Sequence, residues 1–64
     1  MRFEVKWLKG HVVIASTKFE RLEMATRDAE QLFSTYQRLF NATGVEVWDD
    51  RGFRHYARGG PEDS

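Results

Sequence analysis

Between Thr26 and Asn41 apolar side chains return every third or fourth position: Ala29, Leu32, Phe33, Tyr36, Leu39 and Phe40. That spacing lines one face of an α-helix. Arg27, Asp28, Glu30, Gln31, Ser34, Thr35, Gln37 and Arg38 fill the other face. The pattern predicts a helix over Thr26–Asn41, with Thr26 as N-cap and Asp28 and Glu30 near the positive end of its dipole. Leu22 and Ala25 continue the stripe backwards, so a start one turn earlier also fits. Gly44 is the expected left-handed residue at the helix end.

The flanking segments follow a period of two. Phe3, Val5 and Trp7 alternate with Arg2, Glu4 and Lys6, which predicts a strand over residues 2–8 with one buried face. Lys9-Gly10 supplies a tight turn, and His11–Phe19, rich in β-branched residues, forms the second arm of a hairpin. Val12 and Ile14 point one way, Val13, Ala15 and Phe19 the other, so this strand is expected inside the sheet. Val45–Trp48 is a third strand, Asp49-Asp50-Arg51-Gly52 a turn, and Phe53–Arg58 a fourth strand. Residues 59–64 carry nothing to pack and are expected to form a disordered tail.

The order β-β-α-β-β defines an α+β class: one helix on one face of a four-stranded, mainly antiparallel sheet. The pattern leaves strand order open. All of it lies within 64 residues, one domain near the lower size limit for folding without staples. Cysteine is absent, which removes disulfides and thiolate zinc sites. Ten basic and ten acidic residues balance, which disfavours binding driven by an excess of positive charge. No apolar run is long enough for a membrane span, and the N-terminus lacks a signal-peptide core, so a cytoplasmic location without membrane contact is expected.

The first strand FEVKW, the apolar second strand, the spacing Phe19-x-x-Leu22-x-x-Ala25-x-x-x-Ala29 and the VEVWDDRG hairpin together resemble small bacterial domains of unknown function. The hairpin followed by a helix also resembles the N-terminal half of HicB-type antitoxins, although the glycine-rich stretch usual between those strands is missing. The second resemblance implies a toxin as partner. Neither implies a catalytic residue.

Candidate chemistry is sparse. His11 and His55 approach one another only if the second and fourth strands pair, and no third ligand stands at a familiar metal spacing. Asp49-Asp50 is better explained as turn chemistry than as a carboxylate pair. The serines and threonines lack a nucleophile-elbow context, and Gly59-Gly60 lacks the strand and helix of a phosphate loop. No catalytic residue, metal or cofactor is expected. Arg51, Arg54, Tyr56 and Arg58 mix basic and aromatic groups, the ingredients of single-stranded nucleic-acid binding, and form the alternative functional reading. The favoured expectation comes from geometry. One helix screens one sheet face while the strands carry apolar groups on both, so Leu8, Val12, Ile14 and Trp48 are expected to form an interface. That predicts a non-catalytic interaction module that buries its open sheet face against a copy of itself or another protein.

Overall fold

The structure, a computed structural model, describes residues 2–59. Strands β1 (Phe3–Lys9) and β2 (Val12–Phe19) make the first hairpin, helix α1 (Leu22–Phe40) follows, and β3 (Gly44–Asp49) and β4 (Arg54–Gly59) make the second. The expected two-layer ββαββ architecture is present: one helix packs on one four-stranded antiparallel sheet. The strand order is β2-β1-β3-β4. The hairpins join through β1 and β3, with Val5 opposite Val47 and Trp7 opposite Val45.

That order places β2 at an edge, not inside the sheet. Its mixed apolar pattern has a different cause from double-sided burial. Trp7 pairs with Ala15 and Leu8 with Val13, which leaves Ile14 as the extra residue of a β-bulge. A bulge resets the alternation, so apolar residues on the two sides of it read as two apolar faces.

The core lies between α1 and the two inner strands. Phe3, Val5 and Trp7 from β1, Val45 and Val47 from β3, and Ala25, Ala29 and Phe33 from α1 are buried. The buried alanines put only methyl groups between helix and sheet. Trp7 fills the remaining depth, stacked on Tyr36 with ring centroids 4.1 Å apart and planes 6° from parallel. Its indole N–H is buried without a hydrogen-bond partner among the described residues. An orphan of this kind costs about 1–3 kcal/mol, so Trp7 is held by contact area rather than by polar bonding.

Helix α1 begins at Leu22, one turn before Thr26. Arg21 occupies the N-cap with an extended backbone and no side-chain cap bond, while the Thr26 hydroxyl donates back to the Leu22 and Glu23 carbonyls. Burying Ala25 and half-burying Leu22 outweighs the missing cap. At the other end Asn41 (φ 58), not Gly44, adopts the left-handed conformation, and its N–H donates to the Gln37 carbonyl. Asparagine tolerates that region, which frees Gly44 to start β3. A helix of 19 residues is about 28 Å long, whereas strands of 6 to 8 residues reach roughly 20–26 Å. The last turn overhangs. Leu39 and Phe40, expected on the buried stripe, are therefore exposed.

Thr43 ties the two hairpins. Its N–H donates to the Leu8 carbonyl at 2.7 Å, and its Oγ1 accepts from the Gly10 N–H at 2.8 Å. Gly59 closes β4 against the same point, at φ 71, where an added Cβ collides with the Thr43 carbonyl oxygen and lies 3.2 Å from Phe33 Cζ. Strand β4 therefore runs one residue beyond its expected end, and the rest of the expected tail falls in 60–64, outside the described residues.

Trp7→Ala is expected to cost about 3–5 kcal/mol, enough to abolish cooperative thermal unfolding by circular dichroism. Gly59→Ala is expected to lower the melting temperature more than Ala57→Gly, since Ala57 is exposed and Gly59 is confined.

Candidate interaction surface

A helix is about 10 Å across, whereas four strands spaced by about 4.8 Å place the outer two roughly 14 Å apart. Helix α1 lies chiefly over β1 and β3, so the helix side of each outer strand needs other cover. On β4 it comes from the strand itself. Tyr56, opposite Val47, packs against the core, and the Arg58 guanidinium lies 4.6 Å from the Phe33 ring centroid. On β2, Ala15 and Phe19 pack against the core, but the Val12–Ile14 end stays exposed. Lys9, Ile14, Ala15, Tyr36 and Phe40 line a groove of about 340 Å³ between the edge strand and the overhanging helix end.

Several of the exposed apolar groups belong to this edge. Val12, Val13 and Ile14 are 64%, 49% and 38% exposed, and Phe40, across the groove, is 54% exposed. Lys18 is the only charged residue in β2. The outer side of this strand is an unpaired row of backbone donors and acceptors, a template for another strand. Strand β4, the other edge, carries Arg54, His55 and Arg58, charges of the kind that deter such pairing.

The sheet face away from the helix is largely polar. Register places Glu4 opposite Lys18 and Trp48, and Lys6 opposite Ser16 and Glu46. Trp48 Nε1 donates to Glu46 Oε1 at 2.9 Å, Arg54 donates to Glu46 Oε2 at 3.2 Å, and Lys6 Nζ sits 5.4 Å from the Trp48 ring centroid. The indole is thus half-buried under charged neighbours. Leu8 and Val13 make a small apolar end to this face.

The densest polar cluster closes the second hairpin. Asp49 Oδ1 accepts from the Arg51 and Phe53 N–H groups, both at 2.9 Å, and Oδ2 lies 2.8 Å from His55 Nε2. An ionised carboxylate only accepts, so His55 donates through Nε2. The bond to His55, with those from Phe53 and Arg51, holds the Asp49 carboxyl down to about 2 from an ordinary 3.8. His55 also packs edge-on against Phe3, with centroids 5.5 Å apart. Strict alternation puts His55 and Tyr56 on opposite faces. A bulge between Val47 and Trp48 leaves His55 unpaired, and both side chains meet the helix side. Every group in the cluster serves the turn.

The residues singled out from the sequence are therefore distributed. Leu8 and Trp48 lie on the open face, whereas Ile14 and Val12 lie at the β2 edge toward the helix side. Arg54 stands on the open face, Tyr56 and Arg58 on the helix side, and Arg51 in the turn, so the four share no stacking platform. His11 and His55 belong to opposite ends of the sheet and do not meet. Phe40, Tyr36 and Lys9 were not anticipated as surface partners of β2. The signal for them was the length of the helical stripe, longer than any strand beneath it.

No protein-family model, curated protein or solved structure matches this chain. No helix among the described residues is long and apolar enough to cross a membrane. Nor do those residues gather three or more His, Cys, Asp or Glu side chains around a metal-sized site.

Because its folded value lies below its unfolded one, Asp49 stabilises the fold above about pH 3.8, and that contribution is lost as pH falls through about 2. Asp49→Asn is expected to melt lower than the parent at neutral pH and to flatten the dependence of melting temperature on pH between those values. Melts recorded across that window check both.

Proposed function

We propose that this chain is a non-catalytic protein–protein interaction module that works by strand addition at β2. The observation that carries the reading is Val12–Ile14: three consecutive β-branched residues, all exposed, on an edge strand with one charge. In strand addition the backbone of the incoming segment supplies affinity, and side chains of alternate residues enter neighbouring pockets. The groove beside β2 is such a pocket, with apolar walls and the Lys9 side chain among its lining residues. The distribution of polar groups supports the non-catalytic part, since Asp49, His55, Glu46 and Arg54 are committed to one another or to backbone. An enzyme site instead needs several polar groups converging on one pocket.

Titrating isotope-labelled protein, kept dilute, with a blocked peptide of alternating valine and threonine tests this reading by NMR. Shifts confined to β2, Tyr36 and Phe40 are expected. Shifts centred on β4 or on Trp48, or none at millimolar peptide, overturn it. Ile14→Lys places a second cation beside the groove at an already exposed position and is expected to weaken peptide binding without lowering the melting temperature.

A further inference from the structure

Resting on the strand-addition reading, we infer that the segment occupying the β2 edge is β2 of a second copy, paired antiparallel about a two-fold axis through Thr17. Charge and register both lead there. A two-fold pairing of β4 gathers Arg54, His55 and Arg58 of both copies along one seam, and its bulge at His55 leaves only Tyr56–Gly59 as a regular stretch. Strand β2 has one charge, Lys18, so only a pairing centred on that residue opposes like with like.

The bulge narrows the choice further. Below Ile14 the alternation is reset, so only Ala15–Phe19 is a regular stretch. In it Ala15, Thr17 and Phe19 stand opposite Trp7, Val5 and Phe3 and so share the helix side, while Ser16 and Lys18 share the open face. A centre at Thr17 pairs Ala15 with the partner's Phe19, Ser16 with the partner's Lys18, and Thr17 with its own mate. Every side chain then meets one on its own face across the whole stretch. A centre at Ser16 keeps only three such pairs before the bulge breaks the match, and a centre at Lys18 opposes two ammonium groups.

The product is a continuous eight-stranded sheet, β4-β3-β1-β2 followed by the same order reversed, with both helices on one face. Its outer edges are the two basic β4 strands, which stop further growth. Two-fold pairing through like elements is the commonest closed assembly, and equal numbers of acidic and basic residues set up no net repulsion against it. Ile14, on the helix side next to the paired stretch, is brought beside the partner's Phe19.

The chain has no cysteine, so a single introduced thiol reports on this contact alone. Opposed residues of an antiparallel pair have Cα atoms about 4.5–5.5 Å apart, inside the span of about 4.4–6.8 Å that a disulfide bridges. Sedimentation equilibrium of the unmodified chain is expected to give the mass of two chains. Mild oxidation is expected to link Thr17→Cys into a covalent dimer and to leave Ala57→Cys, on β4, unlinked. Ser16→Lys, facing the partner's Lys18, is expected to weaken the dimer, and Ser16→Glu to strengthen it, with melting of the dilute chains as the check on folding. A monomer at every concentration overturns the second copy as occupant; the module reading then stands or falls by the valine–threonine peptide alone. A dimer that Thr17→Cys does not link, or that ignores the charge of residue 16, overturns the pairing.

Discussion

One helix can lie on two strands, and this sheet has four. Helix α1 takes the inner pair, β1 and β3, and the stack of Trp7 on Tyr36 fixes it there. What remains is decided at the margins. On β4, Tyr56 and the Arg58–Phe33 contact extend the core outward and end it in a charge. On β2 the margin is left apolar and open, and its exposure grows because the helix overruns the strands and ends with Phe40 above the groove.

The asymmetry of the two edges is a property of side chains, not of topology. Both strands have an unpaired backbone row, and both carry a bulge against their neighbour. The β4 bulge turns His55 onto Asp49 and Phe3, and its Nε2 bonds the Asp49 carboxylate. The β2 bulge turns Ile14 toward the groove, where no described residue covers it fully. For so small a domain, fully burying a side chain such as valine or isoleucine is worth about 1.5–3 kcal/mol, a large fraction of a marginal stability. Pairing along β2 recovers part of that and satisfies the backbone as well.

Much of this was legible in the sequence. The alternation of Phe3, Val5 and Trp7 named the buried face of β1, the 3.6-residue stripe named the helix, and Asp49 and Gly52 marked the second turn. The positions that misled share a physical reason. A bulge is one extra residue with no signature of its own, so VVIAST read as a strand buried on both faces. Thr26 is a good cap in isolation, yet burial of Ala25 and Leu22 carried the helix past it. The interface residues divide between two surfaces: Leu8 and Trp48 lie on a polar face, while Val12 and Ile14 lie at an edge whose partners, Tyr36 and Phe40, lie more than twenty residues away in the chain. Pairing order and helix overhang are tertiary facts that local periodicity does not encode.

The central claim is that coverage by a single helix leaves β2, and not β4 or the open face, as the surface that seeks a partner. Residue-resolved amide hydrogen exchange in dilute and in concentrated protein addresses it most directly. Amides of Ala15–Phe19 are expected to gain protection as concentration rises, those of β4 to stay unchanged, and those of β1 and β3 to be slow throughout. Protection of β2 that ignores concentration, or a gain located on β4, contradicts the account.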